Sequence, residues 1–290
     1  MKVTIINFTD PMMGLSYECE PIFRKLETHF AGVIEFKFVM SLLVRNVYEL
    51  VNPRDLEISK AVAIKNYNAK LAKIYESEES LGGLPIVMDG FNLFSETETS
   101  SLPLNLAYKA AQLADAAKAD LFLYNLRYAT IVDCRPTTKL DEILKVVEKT
   151  KIDTAEFEKH FRGTTAAAAL KQDLNFTQQL ELRTLPSYII QFGEDGILAQ
   201  GLISYEDFLD LISQVTRGAV KPSKVEKSLD ALKNLIKLHP LISANEILAA
   251  FDFENFAQVE KFIAPMVDSG EVSIFKVKDS FFIDCRKNFR

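Results

Sequence analysis

Cysteine is scarce in this chain of 290 residues, and no two of its three cysteines are close. Cys19, Cys134 and Cys285 stand far apart, so no CxxC pair exists. An odd number of scattered thiols argues against a disulfide framework. His29, His160 and His239 are scattered as well, and nothing has the spacing of a zinc site. A glycine-rich phosphate loop is also missing. No apolar run reaches the length of a membrane span, and the first residues show no signal-peptide pattern. Positive charge is in deficit: the formal net charge is -6 and the pI is near 5.3. That balance argues against general binding of nucleic acid or of an anionic membrane. A cytoplasmic location is expected.

What the chain has is apolar bulk, with 48% hydrophobic and 26% charged residues, enough for a large core and two or three modules. Val3-Thr4-Ile5-Ile6-Asn7-Phe8 is rich in β-branched residues and is bounded by Asp10-Pro11, which predicts a buried first strand. Leu15, Cys19, Ile22, Leu26 and Phe30 then recur at helical spacing and predict an amphipathic helix from about Met13, closed by Ala31-Gly32. Ile34 to Val39 alternates apolar and charged residues as a second strand does. Two parallel strands joined by a helix make a right-handed crossover.

The next stretch is mainly helical. Helices are expected over 56–75, from Ser101-Leu102-Pro103 onward, and near 120–131, 139–149 and 154–161, with a further one over 164–182. Thr184-Leu185-Pro186 precedes a strand, Gly193-Glu194-Asp195-Gly196 turns into a short return strand, and Ser204 with Asp207 caps a helix ended by Gly218. After a linker at 220–223, three helices (224–238, one capped by Ser243 with Glu246, and 255–267) and two strands (271–277, 281–285) look like a winged-helix module. Its third helix carries Glu254, Glu260 and Asp268 against one Lys261, so DNA reading is disfavoured. A protein-contact or dimerisation role is the simpler reading.

The turn after the first strand resembles the DsbA family, in its cytosolic FrnE-like branch. There the turn reads Asp-Pro-x-Cys-x-x-Cys, followed by an aromatic residue and a Glu-Pro. Asp10-Pro11, Tyr17 and Glu20-Pro21 match, but Met13 and Ser16 stand where the cysteines would be. Thr184-Leu185-Pro186 is the second match, where family members hold a cis-proline. The fold class implied is α/β: a thioredoxin-like domain (1–44 and 164–217) with an inserted helical domain (45–163), plus a small C-terminal winged-helix-like α+β domain (222–290).

The resemblance implies the frame of a disulfide oxidoreductase without its reagent. Met13 has no proton to lose and cannot be the nucleophile. Ser16 fits either a first-turn hydrogen bond or a donor to a thiol. The related kappa-class glutathione transferases hold the glutathione sulfur with a Ser, but theirs aligns with Met13. Cys19 is either a small apolar residue on the helix stripe or a reactive monothiol. Asp10, Pro11, Met12, Met13, Ser16, Tyr17, Leu185 and Pro186 are the candidate binding residues, with Asp10 and Tyr17 equally readable as a cap and a packing residue. Three functions follow. The first is a redox-inactive protein binding a peptide, thiol compound or protein partner at this turn. The second is thiol or glutathione chemistry through Ser16 or Cys19, with glutathione the one cofactor implied. The third is an adaptor whose C-terminal module carries the partner. The oligomer allowed for is a homodimer.

Overall fold

A computed structural model describes residues 1–285 of the chain. β1 (Val3–Thr9) is interior to a four-stranded sheet and pairs in parallel with β2 (Ile34–Met40). Its other neighbour is β3 (Ser187–Phe192), antiparallel, which pairs with β4 (Asp195–Gln200) through the predicted hairpin. α1 (Gly14–Glu18) and α2 (Glu20–His29) link β1 to β2. α2 and α10 (Tyr205–Thr216) cover one sheet face, burying Val3, Ile5, Phe23, Leu26, Tyr188, Phe208 and Ile212. Phe8 meets Phe176 of α9 (Thr165–Gln179). This is the expected thioredoxin-like order.

Between β2 and α9 lie α3 (Pro53–Ile58), α4 (Lys60–Gly82), α5 (Leu102–Ala114), α6 (Ala119–Ile131), α7 (Leu140–Lys149) and α8 (Thr154–Arg162). α11 (Leu229–Leu238), α12 (Ala244–Ala250) and α13 (Phe256–Asp268) follow the linker, with a three-stranded sheet of order β5-β7-β6. Its strands are β5 (Leu241–Ser243), β6 (Ser273–Val277) and β7 (Ser280–Asp284).

Four local expectations change. The first helix is two, broken at Cys19, because Pro21 lacks the N–H that would continue the ladder onto the Tyr17 carbonyl. The helix expected over 56–75 ends at Ile58. Ser59 is extended there and restarts α4, accepting a hydrogen bond from Val62 N. α11 begins at Leu229 rather than 224, because Ser228 caps it. β5 went unpredicted: three residues carry little periodicity, and its pairing partner is β7, forty residues on.

Candidate functional site

Asp10 is fully buried at the end of β1 and organises the turn. Its Oδ1 accepts from Met12 N at 2.9 Å. Its Oδ2 accepts from Leu43 N at 2.8 Å, Ser101 Oγ at 2.7 Å and Asn105 Nδ2 at 2.8 Å. Burial pushes the carboxyl up, and these four donors oppose that. Asp10 therefore neither lines a groove nor caps α1. It ties the turn to the loop after β2 and to the start of α5.

The other turn residues are covered. Met12 is 1% and Met13 5% exposed, and Ser16 and Tyr17 are 0% exposed. Ser16 Oγ accepts from Thr9 Oγ1 at 2.7 Å, and Arg127 Nη2 donates to Thr9 at 2.8 Å. Tyr17 OH donates to the Pro85 carbonyl at 3.2 Å. α4 forms the cover. Its buried side, Ala63, Ile64, Asn68, Leu71 and Tyr75, recurs at helical spacing, and Tyr75 OH donates to the Met12 carbonyl. A side chain at Gly14 would overlap Tyr75 and Glu78, so α4 and α1 approach closely because position 14 is glycine. Pro11 and Pro186 are buried and Leu185 is half-buried. The Leu185–Pro186 peptide is cis. The candidate residues of the turn thus form a packed joint rather than an open surface, while Leu185 remains partly exposed.

Cys19 and Cys285 are buried as well, and Cys134 is half-buried. Cys19 is 3% exposed, with Sγ 3.4 Å from Tyr188 OH, and burial pushes its thiol up to about 11. Cys134 donates to the Val87 carbonyl at 2.7 Å and is also pushed up to about 11, chiefly by burial. A reactive thiol needs the opposite environment, one that favours the thiolate.

A buried charge network lies beside the turn, and sequence reading missed it. Arg24 Nη2 meets Glu20 at 2.6 Å and Arg24 Nη1 meets Glu27 at 2.7 Å. Arg127 Nη1 meets the other Glu20 oxygen at 3.0 Å. From the C-terminal module, Glu246 lies 3.5 Å from Arg24 Nε and accepts from Tyr124 OH at 2.7 Å. His239 Nε2 is 2.8 Å from Glu27. Burial would raise the Glu27 carboxyl, but Arg24 and His239 outweigh it and hold it at about 2. Burial raises Glu246 to about 7 against the pull of Arg24. The spacing of Glu20, Arg24 and Glu27 on one helix face was the available signal. Among the described residues, no group of three or more His, Cys, Asp or Glu is placed to hold a metal ion. Nor is any described helix long and apolar enough to cross a membrane.

Sheet order, insertion, cis-proline and turn define a DsbA-like protein of thioredoxin fold. Residues 7–209 match the family model Thioredoxin_5, described as thioredoxin, and the chain belongs to that family. Among curated proteins it is similar to the ClpXP adapter protein SpxH of Bacillus subtilis. That match is 23% identical over 283 residues, covering 96% of this chain and 87% of the relative. SpxH of Halalkalibacterium halodurans is 22% identical over 283 residues, at 94% and 86% coverage. Among solved structures, a probable DsbA oxidoreductase from Streptomyces coelicolor superposes with a TM-score of 0.56 at 15% identity, covering 77% of this chain and 94% of its own. The cytosolic disulfide reductase DsbM from Pseudomonas aeruginosa gives 0.51 at 16% identity, covering 74% and 95%.

Proposed function

We propose that this chain is a protein adapter that brings a client protein to a ClpXP-type protease. The extent of the similarity carries this reading. The ClpXP adapters of Halalkalibacterium halodurans and Bacillus subtilis match 94% and 96% of the chain, C-terminal module included. The redox proteins match over nearly their whole length yet reach only 74–77% of it. The turn supports the same direction, since Met13 and Ser16 offer no thiolate and both are buried. Disulfide exchange needs an accessible attacking thiolate. A cytoplasmic location belongs to this proposal.

The test is complementation. A Bacillus subtilis strain lacking its SpxH would be supplied with this chain, and protein half-lives followed by pulse labelling and mass spectrometry. Proteins stabilised by the deletion should regain fast turnover. Turnover that stays slow while the chain is present, folded and abundant would sink the adapter reading. Insulin reduction above background would favour the redox reading instead.

A further inference from the structure

We propose that the groove between the loop after β2 and the C-terminal half of α9 holds an extended acidic segment of a protein client. This rests on the adapter reading and names the client's chemistry. The groove has a volume of about 800 Å³, within the range of ligand sites.

Its floor is pinned. Met40 N donates to Asp173 Oδ2 at 2.9 Å, and Ser41 Oγ and Thr177 Oγ1 are 3.1 Å apart. Beyond the floor the walls part. Leu42 has a φ of 49°, a left-handed conformation uncommon for leucine. Asp10 then holds Leu43 N, and Ser101 Oγ holds Val44 N at 3.1 Å. These bonds draw the loop away from α9 and leave the groove open. The buried turn thus shapes a wall of an accessible site.

The lining matches an acidic peptide. Leu42, Leu174 and Leu182 are half-buried and offer apolar contact. Arg45 and Lys171 are exposed, and neither has an ion-pair partner among the described residues. Lys109, by contrast, is paired with Asp173 at 3.0 Å. Among the described residues, Glu181 is the one acid in the lining, and Asp173 in the floor is already paired. In a chain of net charge -6, this is a local reversal of sign. Carboxylates on a client would gain two cations there, and hydrogen-bonding side chains such as Asn175 and Gln178 could meet its backbone.

The experiment is fluorescence anisotropy on the full chain, with a labelled short peptide of alternating Glu and Leu and a Lys-Leu counterpart as probes. The acidic peptide should bind, more weakly as salt rises, and the basic one should not. The paired substitution Arg45→Ser with Lys171→Ser should weaken binding by about tenfold, from two exposed charge contacts. Arg45→Lys with Lys171→Arg should retain it. Zero-length carbodiimide coupling on the wild type gives a readout that needs no variant, and the acidic peptide should crosslink to Lys171. Equal affinity for both peptides, a crosslink elsewhere, or displacement by a single-stranded oligonucleotide of equal charge would overturn the proposal. Complementation with the Ser variants separates the two readings. Lost peptide binding with turnover intact would overturn the client assignment and leave the adapter standing. A wild type that binds the peptide but restores no turnover would overturn the adapter reading and keep the groove as a peptide site.

Discussion

Asp10 has moved from a candidate lining residue to the joint of three segments. Removing a buried acceptor leaves its donors unsatisfied, so Asp10→Ala should cost about 2–4 kcal/mol in urea unfolding. A loss within experimental error would mean that the Leu43, Ser101 and Asn105 donors find other partners. Glu18 tests burial differently. It is 2% exposed, accepts from Gly82 N at 2.8 Å and from Leu84 N at 3.3 Å, and is raised to about 8, chiefly by burial. A carboxyl raised in the folded state favours folding when protonated. That contribution is complete below the unfolded value of about 4.3 and is lost as pH rises toward the folded one. Relative to Glu18→Gln, the wild type should therefore lose stability across that window, on the order of 1.4 kcal/mol per pH unit at most. Stability curves for the two that run parallel from pH 5 to 8 would show that Glu18 stays ionised.

At the scale of elements, α4 decides what the turn can do. The apolar stripe from Leu15 to Phe30 correctly announced helix after β1, but α1 ends at Glu18 and its start lies under Tyr75. Restoring cysteines at Met13 and Ser16 tests the consequence. A thiol at an open helix start would titrate below the free value of about 8.5. A thiol buried in this turn should be raised instead, as burial raises Cys19. The reduced variant carrying Met13→Cys and Ser16→Cys should therefore react with Ellman's reagent no faster than the wild type when folded, and show two more thiols once unfolded in urea. Fast reaction of a folded variant at neutral pH would mean that α4 leaves the turn open.

For the whole molecule, the C-terminal module is seated on α2 through buried charge. Arg24 is 5% exposed and holds Glu20, Glu27 and Glu246 together. Breaking a buried ion network by removing one partner costs about 3–5 kcal/mol, because the remaining charges stay buried. Arg24→Ala should lower stability by that amount and separate the unfolding of the module from that of the thioredoxin-like domain. One transition with an unchanged midpoint would show that apolar packing, such as Tyr128 on Phe282, holds the module alone. By itself the sequence determined what depends on neighbours within a turn or a strand. β1 and β2 follow from alternation and β-branching, the β3–β4 hairpin from its glycines, and α10 from its Ser204–Asp207 box. Tertiary structure alone decided whether the Asp10-Pro11 turn is open or closed. Its cover, Tyr75, is 63 residues from Met12, and Arg127 is 107 residues from Glu20. Helical spacing said that Tyr75 and Arg127 lie on helix faces, but which surface each face meets depends on how the elements pack. Packing buried the turn and the charges beside it, and parted the loop after β2 from α9.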